Sequence, residues 1–213
     1  MEISLIVRAD YLCVLGLFAA KKDVRFYLNG INLEIGPKFS VLMSSDGHRA
    51  GCFRVIVEQP DVTEPLRDII LPSALLWHVK PKPKGEVVIV VGEPIVPTSN
   101  ARPVRITYAG VTVTGETIDA TYPDIRRVIP SKVSGKPAQF NVNYLADLAK
   151  ASAMLGRRNF PVARIDYNGQ DTALFDLGEP EFLGAICPIR DTTTADVAPA
   201  WIFDDTLGTA DLV

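Results

Sequence analysis

Apolar and polar residues alternate in "EISLIVRA" and "VRFYLNGINLEIG", a pattern that predicts half-buried strands, while "ADYLCVLGLFAAKKD" between them places apolar residues at helical spacing. Asp10 stands where a helix cap is expected, and Lys21-Lys22 where the helix should close. "KFSVLMSS" and "HRAGCFRVIVEQ" flank Asp46-Gly47, a favoured pair for a two-residue hairpin. The first segment therefore reads as a strand, a helix and a strand meander.

The same order returns twice. "RDIILP" predicts a strand, "SALLWHVK" a short helix begun by Pro72-Ser73, and "EVVIVVG", "PVRITYAG" and "VTVTGETID" three strands with glycine punctuation. A third copy starts at "AQFNV", continues in the helix "NYLADLAKASAMLG", and ends in "PVARIDYNG", "DTALFDLG" and "FLGAICPIR". The helices begin near residues 10, 73 and 142, a period of roughly 65 residues that points to one supersecondary unit used three times. One such unit leaves a sheet face uncovered, so two should pair into a domain with helices on one side. Residues 1–120 are expected to form that complete domain. Residues 121–137, rich in Pro, Gly and Ser, read as a linker, residues 138–190 as a half domain, and residues 191–213 as an acidic tail. The expected class is α+β, with helices on one face of antiparallel sheets.

Composition narrows the choice. With 213 residues, 47% of them hydrophobic, the chain can bury a sizeable core. No apolar run reaches the roughly 20 residues of a membrane span, and "MEISLIVRAD" lacks the order of a signal peptide, so a cytoplasmic location is expected. Cys13, Cys52 and Cys187 are widely spaced and odd in number, which favours reduced, mostly buried thiols over a disulfide framework. Two histidines and no Cys/His cluster predict no metal site, and no cofactor is expected.

The net charge is −3, but its distribution matters more than its sum. Five acids and no base lie after Arg190, leaving 22 bases against 20 acids in residues 1–190. That balance is compatible with a local basic face. Each predicted helix ends near cations: Lys21, Lys22 and Arg25; Lys80, Lys82 and Lys84; Lys150, Arg157 and Arg158. Cations in a last turn complement the helix dipole in any protein. Three equivalent clusters would also form a stripe able to follow a phosphate backbone.

Candidate chemistry is sparse. Ser45, Asp46, His48 and Arg49 are close in sequence, but neighbours on a strand point to opposite faces, so His48 and Arg49 should diverge. No nucleophile elbow, phosphate loop or orienting triad accompanies them. An enzyme is therefore disfavoured, and the simplest reading of Asp46-Gly47 is a turn. Glu179-Glu181 and Asp204-Asp205 read as solvated loop or tail charges with no assigned role.

"DVRFYLNGINLEI", "SSDGHRA", "YPDIRRVIP", "FNVNYL" and "CPIR" resemble, in that order, stretches of the bacterial DNA polymerase III beta subunit, the sliding-clamp family. The resemblance covers nearly all of residues 5–190. It implies the DNA-clamp fold and a non-enzymatic replication accessory, a processivity factor that binds apolar-aromatic peptides of polymerases or repair proteins. Carried over by position, it implies a peptide pocket with Leu28 as floor and Ser45, Gly47, His48 and Arg49 as one wall. Pro123, Arg127 and Val128 of the linker supply a second wall, and Cys187, Pro188, Ile189 and Arg190 a third. Apolar Leu28, Val128, Pro188 and Ile189 suit an aromatic anchor, with Arg49, Arg127 and Arg190 available to peptide carbonyls. Lys22, Arg25 and Tyr27 are the best transfers for a DNA-facing surface, extended by Lys21, Lys80, Lys82, Lys84, Lys150, Arg157 and Arg158.

The resemblance implies departures from that family: nothing in this sequence matches its first domain or the first half of its third, and "RRVIPSK" runs on into "FNVNYL". Ala50, Cys187 and Ile189 stand where larger apolar or methionine-like residues are usual. An unpaired third unit would expose an apolar sheet face, which predicts a homodimer built on two third units and allows a four-chain ring. The "AWIF" island, Ala200 to Phe203, resembles a clamp-binding peptide and is a candidate built-in competitor, with a solvated tail as the plainer reading. The alternative to a DNA-tracking clamp is a clamp-derived peptide-binding or decoy module that never encircles DNA.

Overall fold

The computed structural model describes residues 2–56, 62–82, 85–157, 159, 161 and 163–190. Lys84, Arg158 and the tail with its apolar island lie outside the described residues. The first unit contains β1 (Ile3–Arg8), α1 (Ala9–Phe18), β2 (Gly30–Ile35), β3 (Ser40–Ser45) and β4 (Arg49–Val55). The second contains β5 (Leu66–Pro72), a 3-10 turn (Ser73–Leu76), β6 (Glu86–Val91), β7 (Pro103–Tyr108) and β8 (Val111–Glu116). The third contains α2 (Val142–Met154), β9 (Arg164–Asp166), β10 (Ala173–Asp176) and β11 (Phe182–Ile186).

Units one and two exchange their first strands. β1 pairs with β6 in a four-stranded antiparallel sheet of order β1-β6-β7-β8, and β5 pairs with β2 in the other sheet. That second sheet has seven strands, β5-β2-β3-β4-β11-β10-β9, because β11 of the third unit adds to β4 of the first. The third unit, expected to stand unpaired, is instead joined to the first. Its sheet continues that of unit one, and α2 covers its apolar face and packs beside α1.

Strand alternation sorts the seven-stranded sheet into two faces. Ile31, Leu33, Ile35, Leu42, Phe53, Phe175, Phe182 and Ile186 form one core with Tyr11, Leu12, Leu15 and Phe18 of α1. Met43, Ala50 and Ile70 form a second cluster on the opposite face, beneath Tyr122 and Ile125 of the linker. Helix α1 is apolar on nearly every side because both sheets enclose it, leaving only Cys13, Gly16 and Leu17 half-buried.

Several local expectations shift. Arg8, not Asp10, is the residue before the first helical turn; Asp10 is buried in that turn, where Arg8 pairs with it at 2.6 Å. α1 stops at Phe18, so Lys21 and Lys22 belong to the following loop. The second helix shrinks to Ser73–Leu76, consistent with the prolines of "KPKPKG", which supply no backbone donors to extend it. "AQFNV" forms only an isolated bridge, Gln139 to Ile189. The hairpin turns on Gly47-His48 rather than Asp46-Gly47: the Asp46 amide donates to the Arg49 carbonyl at 3.3 Å, and Gly47 takes φ +89° at the first central position.

Candidate functional site

Three stretches distant in sequence meet at the junction of units one and three. The β3–β4 turn carries Ser45 to His48, and Asp46 braces it by accepting hydrogen bonds from the His48 and Arg49 amides at 2.9 and 3.0 Å. Ser45 Oγ accepts from the Gly47 amide and donates to the Arg49 carbonyl, which closes the turn from the other side. The Cys187 amide then donates to the His48 carbonyl at 2.8 Å, so the stretch after β11 runs directly beside the turn. Ile189 extends that stretch, its amide donating a hydrogen bond to the Gln139 carbonyl.

The linker supplies the facing wall. Its 3-10 turn, Ile125–Val128, is capped by Asp124, whose side chain accepts from the Arg126 amide. Ile125 is the buried anchor of that turn, and Arg126 clamps it to Glu34 of β2 through a bidentate pair. Arg127 and Val128 therefore point away from the core, with 84% of the Arg127 side chain exposed. Arg127, Val128, Ile129 and Pro130 line a cavity of about 380 Å3 with Asn168, Asp171 and Thr172 of the β9–β10 turn. Thr172 Oγ1 lies 3.9 Å from Cys187 Sγ, which links this cavity to the Cys187–Arg190 wall.

The expected pocket residues divide by role. His48, Pro123, Arg127, Val128, Ile189 and Arg190 are exposed, and Cys187 and Pro188 half-buried. Leu28 offers no open floor: it is 3% exposed and packs with Met43, Ala50, Tyr122 and Ile125. Arg49 also departs from expectation. Alternation places it with Gly51 and Phe53 on the helix side of β4, and its guanidinium bonds Asp46, the Leu17 carbonyl and Asp147 of α2 at 3.0, 2.9 and 2.9 Å. Tyr144 lies under the same guanidinium, 4.5 Å from the ring centroid. Arg49 therefore fastens α2 to unit one rather than facing a groove.

Sequence alone assigns the other side chains at this junction no role. Glu179 accepts from Arg8 and Tyr11, and Glu181 pairs with Arg54 at 2.6 Å, so both glutamates tie the third unit to the first instead of standing solvated. Tyr144 stacks beside His48, and Tyr122 of the linker, whose phenol is pushed upward by burial, lies beside Ser45. Its place next to Pro123 in "YPDIRRVIP" was the available signal; Thr172 carried none. Asp147 is held below its ordinary 3.8: burial opposes ionisation, but hydrogen bonds from Lys150 and Arg49 together outweigh it.

The expected DNA-facing cations are less uniform. Lys21, Lys22 and Lys82 are exposed and form no ion pair among the described residues. Arg25 is engaged by Asp23, which its hydrogen bonds hold at about 2, and also donates to the Asp46 carbonyl. Lys150 pairs with Asp147, Arg157 donates to the Gly178 carbonyl, and Lys80 reaches the Trp77 carbonyl at 3.4 Å. Tyr27 is half-buried against the Leu28 cluster. Among the described residues no group of His, Cys, Asp or Glu is placed to hold a metal, and no helix is long and apolar enough to cross a membrane.

A model of the DNA polymerase III beta subunit central domain matches residues 15–124, about half of the chain. The chain belongs to the DNA polymerase III beta subunit family. The beta sliding clamp of Pseudomonas putida is 34% identical over 116 residues, covering 52% of this chain and 28% of that protein. The beta sliding clamp of Vibrio cholerae is 30% identical over 150 residues, 69% of this chain and 38% of that clamp. The chain thus matches well under half the length of these relatives. Among solved structures, the beta subunit of Pseudomonas aeruginosa superposes with a TM-score of 0.62 at 19% identity, covering 89% of this chain and 67% of that one. The Thermotoga maritima beta subunit gives 0.62 at 17% identity, with 89% and 66% covered. The clamp fold therefore extends beyond the central domain into the third unit.

Proposed function

We propose that this beta-clamp relative is a non-enzymatic replication accessory that docks short apolar-aromatic peptides of polymerases or repair proteins between its linker and the stretch after β11. The observation that carries the reading is the Cys187–His48 backbone bond, which sets two remote walls side by side next to the linker cavity. Val128 and Ile189, 54% and 45% exposed, offer apolar surface for an aromatic anchor. Arg190 is exposed, and Arg127 is exposed with its Nε 3.7 Å from Asp124, so both can meet peptide carbonyls or acidic flanks. Lys21, Lys22 and Lys82 are the cations best placed to meet a phosphate backbone, with Arg25 and Tyr27 beside the first two.

A second reading has its own support. The half-buried stripe of α1, Cys13, Gly16 and Leu17, bounds a mainly apolar groove with Trp77, Pro81 and Met154. Helix α1 carries no cation of its own, and among the described residues Lys80 is the one cation lining this groove, which favours a module that captures peptides without encircling DNA.

Fluorescence anisotropy separates the two. A labelled peptide with paired apolar and aromatic anchors should bind saturably to the full chain, and Val128→Asp should weaken it at least about tenfold. Absence of saturable binding overturns the reading. Duplex affinity that falls steeply with salt supports DNA contact, whereas peptide binding with no duplex binding supports the capture module.

A further inference from the structure

The linker turn borders two cavities. Arg127 and Val128 line the groove, whereas Arg126, the preceding residue, lines a second cavity of about 270 Å3. This cavity lies on the face of the seven-stranded sheet opposite α1. Its other walls are the β2–β3 hairpin and the start of β5, with no part taken by the third unit among the described residues.

Local sequence explains how these walls form. The Gly36 amide donates to the Phe39 carbonyl at 3.2 Å, closing the hairpin over Pro37 and Lys38 at its two central positions. Pro37 fixes its own φ, and the turn holds Lys38 and Phe39 in the open, with Phe39 49% exposed. β5 reaches the cavity through a bulge: Leu33 and Ile35 of β2 face Ile69 and Leu66, so β5 carries one extra residue there. Within the bulge Asp68 takes φ +57°, and its carboxylate accepts from the Tyr122 amide at 2.8 Å. The acid next to Arg67 in sequence is thus engaged by the linker. Lys38 and Arg67 are exposed and form no ion pair among the described residues.

The lining has a definite chemistry. Pro37, Phe39, Val41 and Pro65 make it apolar, while Lys38, Arg67 and Arg126 stand around it against one acid, Glu34. Arg126 already satisfies Glu34 through its bidentate pair, which leaves the charge of Lys38 and Arg67 in surplus. An apolar hollow with surplus positive charge selects an anion with an apolar body. The volume falls below the roughly 300–1,000 Å3 of drug-sized ligand sites, which suits a single side chain rather than a whole cofactor.

We infer that this cavity is a second docking site, one that takes an acidic peptide segment carrying one large apolar side chain. The apolar side chain fills the hollow, and the flanking carboxylates meet Lys38 and Arg67. Arg126 and Arg127 are consecutive, with Cα atoms about 3.8 Å apart, so one partner can fill the groove, cross the turn and fill the cavity with the same chain. That joint use rests on the groove reading; the chemistry of the cavity stands without it.

Fluorescence anisotropy of labelled peptides against the full chain tests it. The set is the core apolar-aromatic peptide, an acidic pentapeptide with leucine at its centre, and the two joined in either order through a short Gly-Ser spacer. The acidic segment alone should bind with a Kd on the order of 1 mM, and one joined peptide at least about tenfold more tightly than the core. Lys38→Glu with Arg67→Glu should remove the segment's binding and the joined peptide's gain, leaving the core peptide unchanged. Lys38→Arg with Arg67→Lys should keep both. Absence of segment binding at millimolar concentration overturns the proposal, as does a gain that survives the double charge reversal, which would give the acids to Arg127 and Arg190 instead. Binding indifferent to replacement of the leucine by serine overturns it too, since attraction between surface charges would then suffice. A segment that binds but adds nothing when joined overturns the shared partner. Val128→Asp should abolish core binding and spare that of the segment, so failure of the groove and failure of the cavity read out separately.

Discussion

Gly51 of β4 and Gly184 of β11 stand directly opposite each other at the strand pair that joins unit three to unit one. A methyl group on Gly184 would collide with the Phe175 ring, and one on Gly51 would lie 2.6 Å from the Phe18 ring. Both rings are fully buried and meet edge to face with centroids 5.8 Å apart. The missing side chains are thus the space that the aromatic core of the junction occupies. Glycine inside a strand marks such an approach.

Gly184→Ala should therefore overpack the junction and cost about 1–3 kcal/mol, because the buried Phe175 ring has little room to yield. Urea denaturation of both proteins measures it. A stability equal to wild type would mean the rings reorganise without cost.

Acid should loosen the same junction through Asp147. Its carboxyl is held below the ordinary 3.8, so the folded state binds its proton less readily than the unfolded chain does. The contribution of the Arg49–Asp147 pair is then complete above the ordinary carboxylate range and disappears as pH falls through the lowered folded value. Asp147→Asn should cost about 1–2 kcal/mol at pH 7 and approach wild-type stability near pH 3. Urea midpoints across that range show whether the two curves converge; parallel curves would place the pair outside the stability balance.

The thiols provide a probe of burial. Burial pushes Cys52 up to about 12 and Cys13 up to about 11, so little thiolate exists at pH 8. Iodoacetamide should label both at least about 100-fold more slowly in the folded than in the urea-unfolded chain. Rates within a few fold of each other would contradict the packing described for α1 and β4.

Much of this architecture was legible in local pattern. The alternation in "EISLIVRA" gave β1, helical spacing gave α1 and α2, and the threefold repeat gave the order of elements. Alternation also contained the position of Arg49, since Phe53 must face the core and residues 49, 51 and 53 share a face. Carrying the pocket over by position obscured that constraint. The exchange of β1 and β5 was not legible, because the paired strands are remote in sequence and any long apolar strand would fit either sheet. Nor was the β4–β11 join: its cause is the complementarity of Gly51 and Gly184 to the Phe18 and Phe175 rings, visible only after both strands are in place. The walls of the groove came from ordered motifs, whereas Thr172, Asn168 and Asp171 entered through a turn with no motif of its own.

Wall residues should separate cleanly from junction residues. Ile189→Asp, on an exposed side chain, should weaken peptide binding about tenfold or more with no change in melting temperature. Arg49→Ala should do the reverse, lowering stability by about 3 kcal/mol because it leaves Asp147 and Asp46 without their shared partner. Peptide titration and thermal melts of both variants check the pattern, and the opposite assignment would return Arg49 to the groove.

Hydrogen exchange of the full chain with and without a saturating apolar-aromatic peptide tests the groove most directly. The expected footprint is slowed exchange at amides of the β3–β4 turn, residues 45–48, of the linker, residues 124–129, and of the stretch 187–190, with α1 and the Ser73–Leu76 turn unchanged. Protection confined to the Cys13–Trp77 groove, or none at any of the three walls, would contradict it.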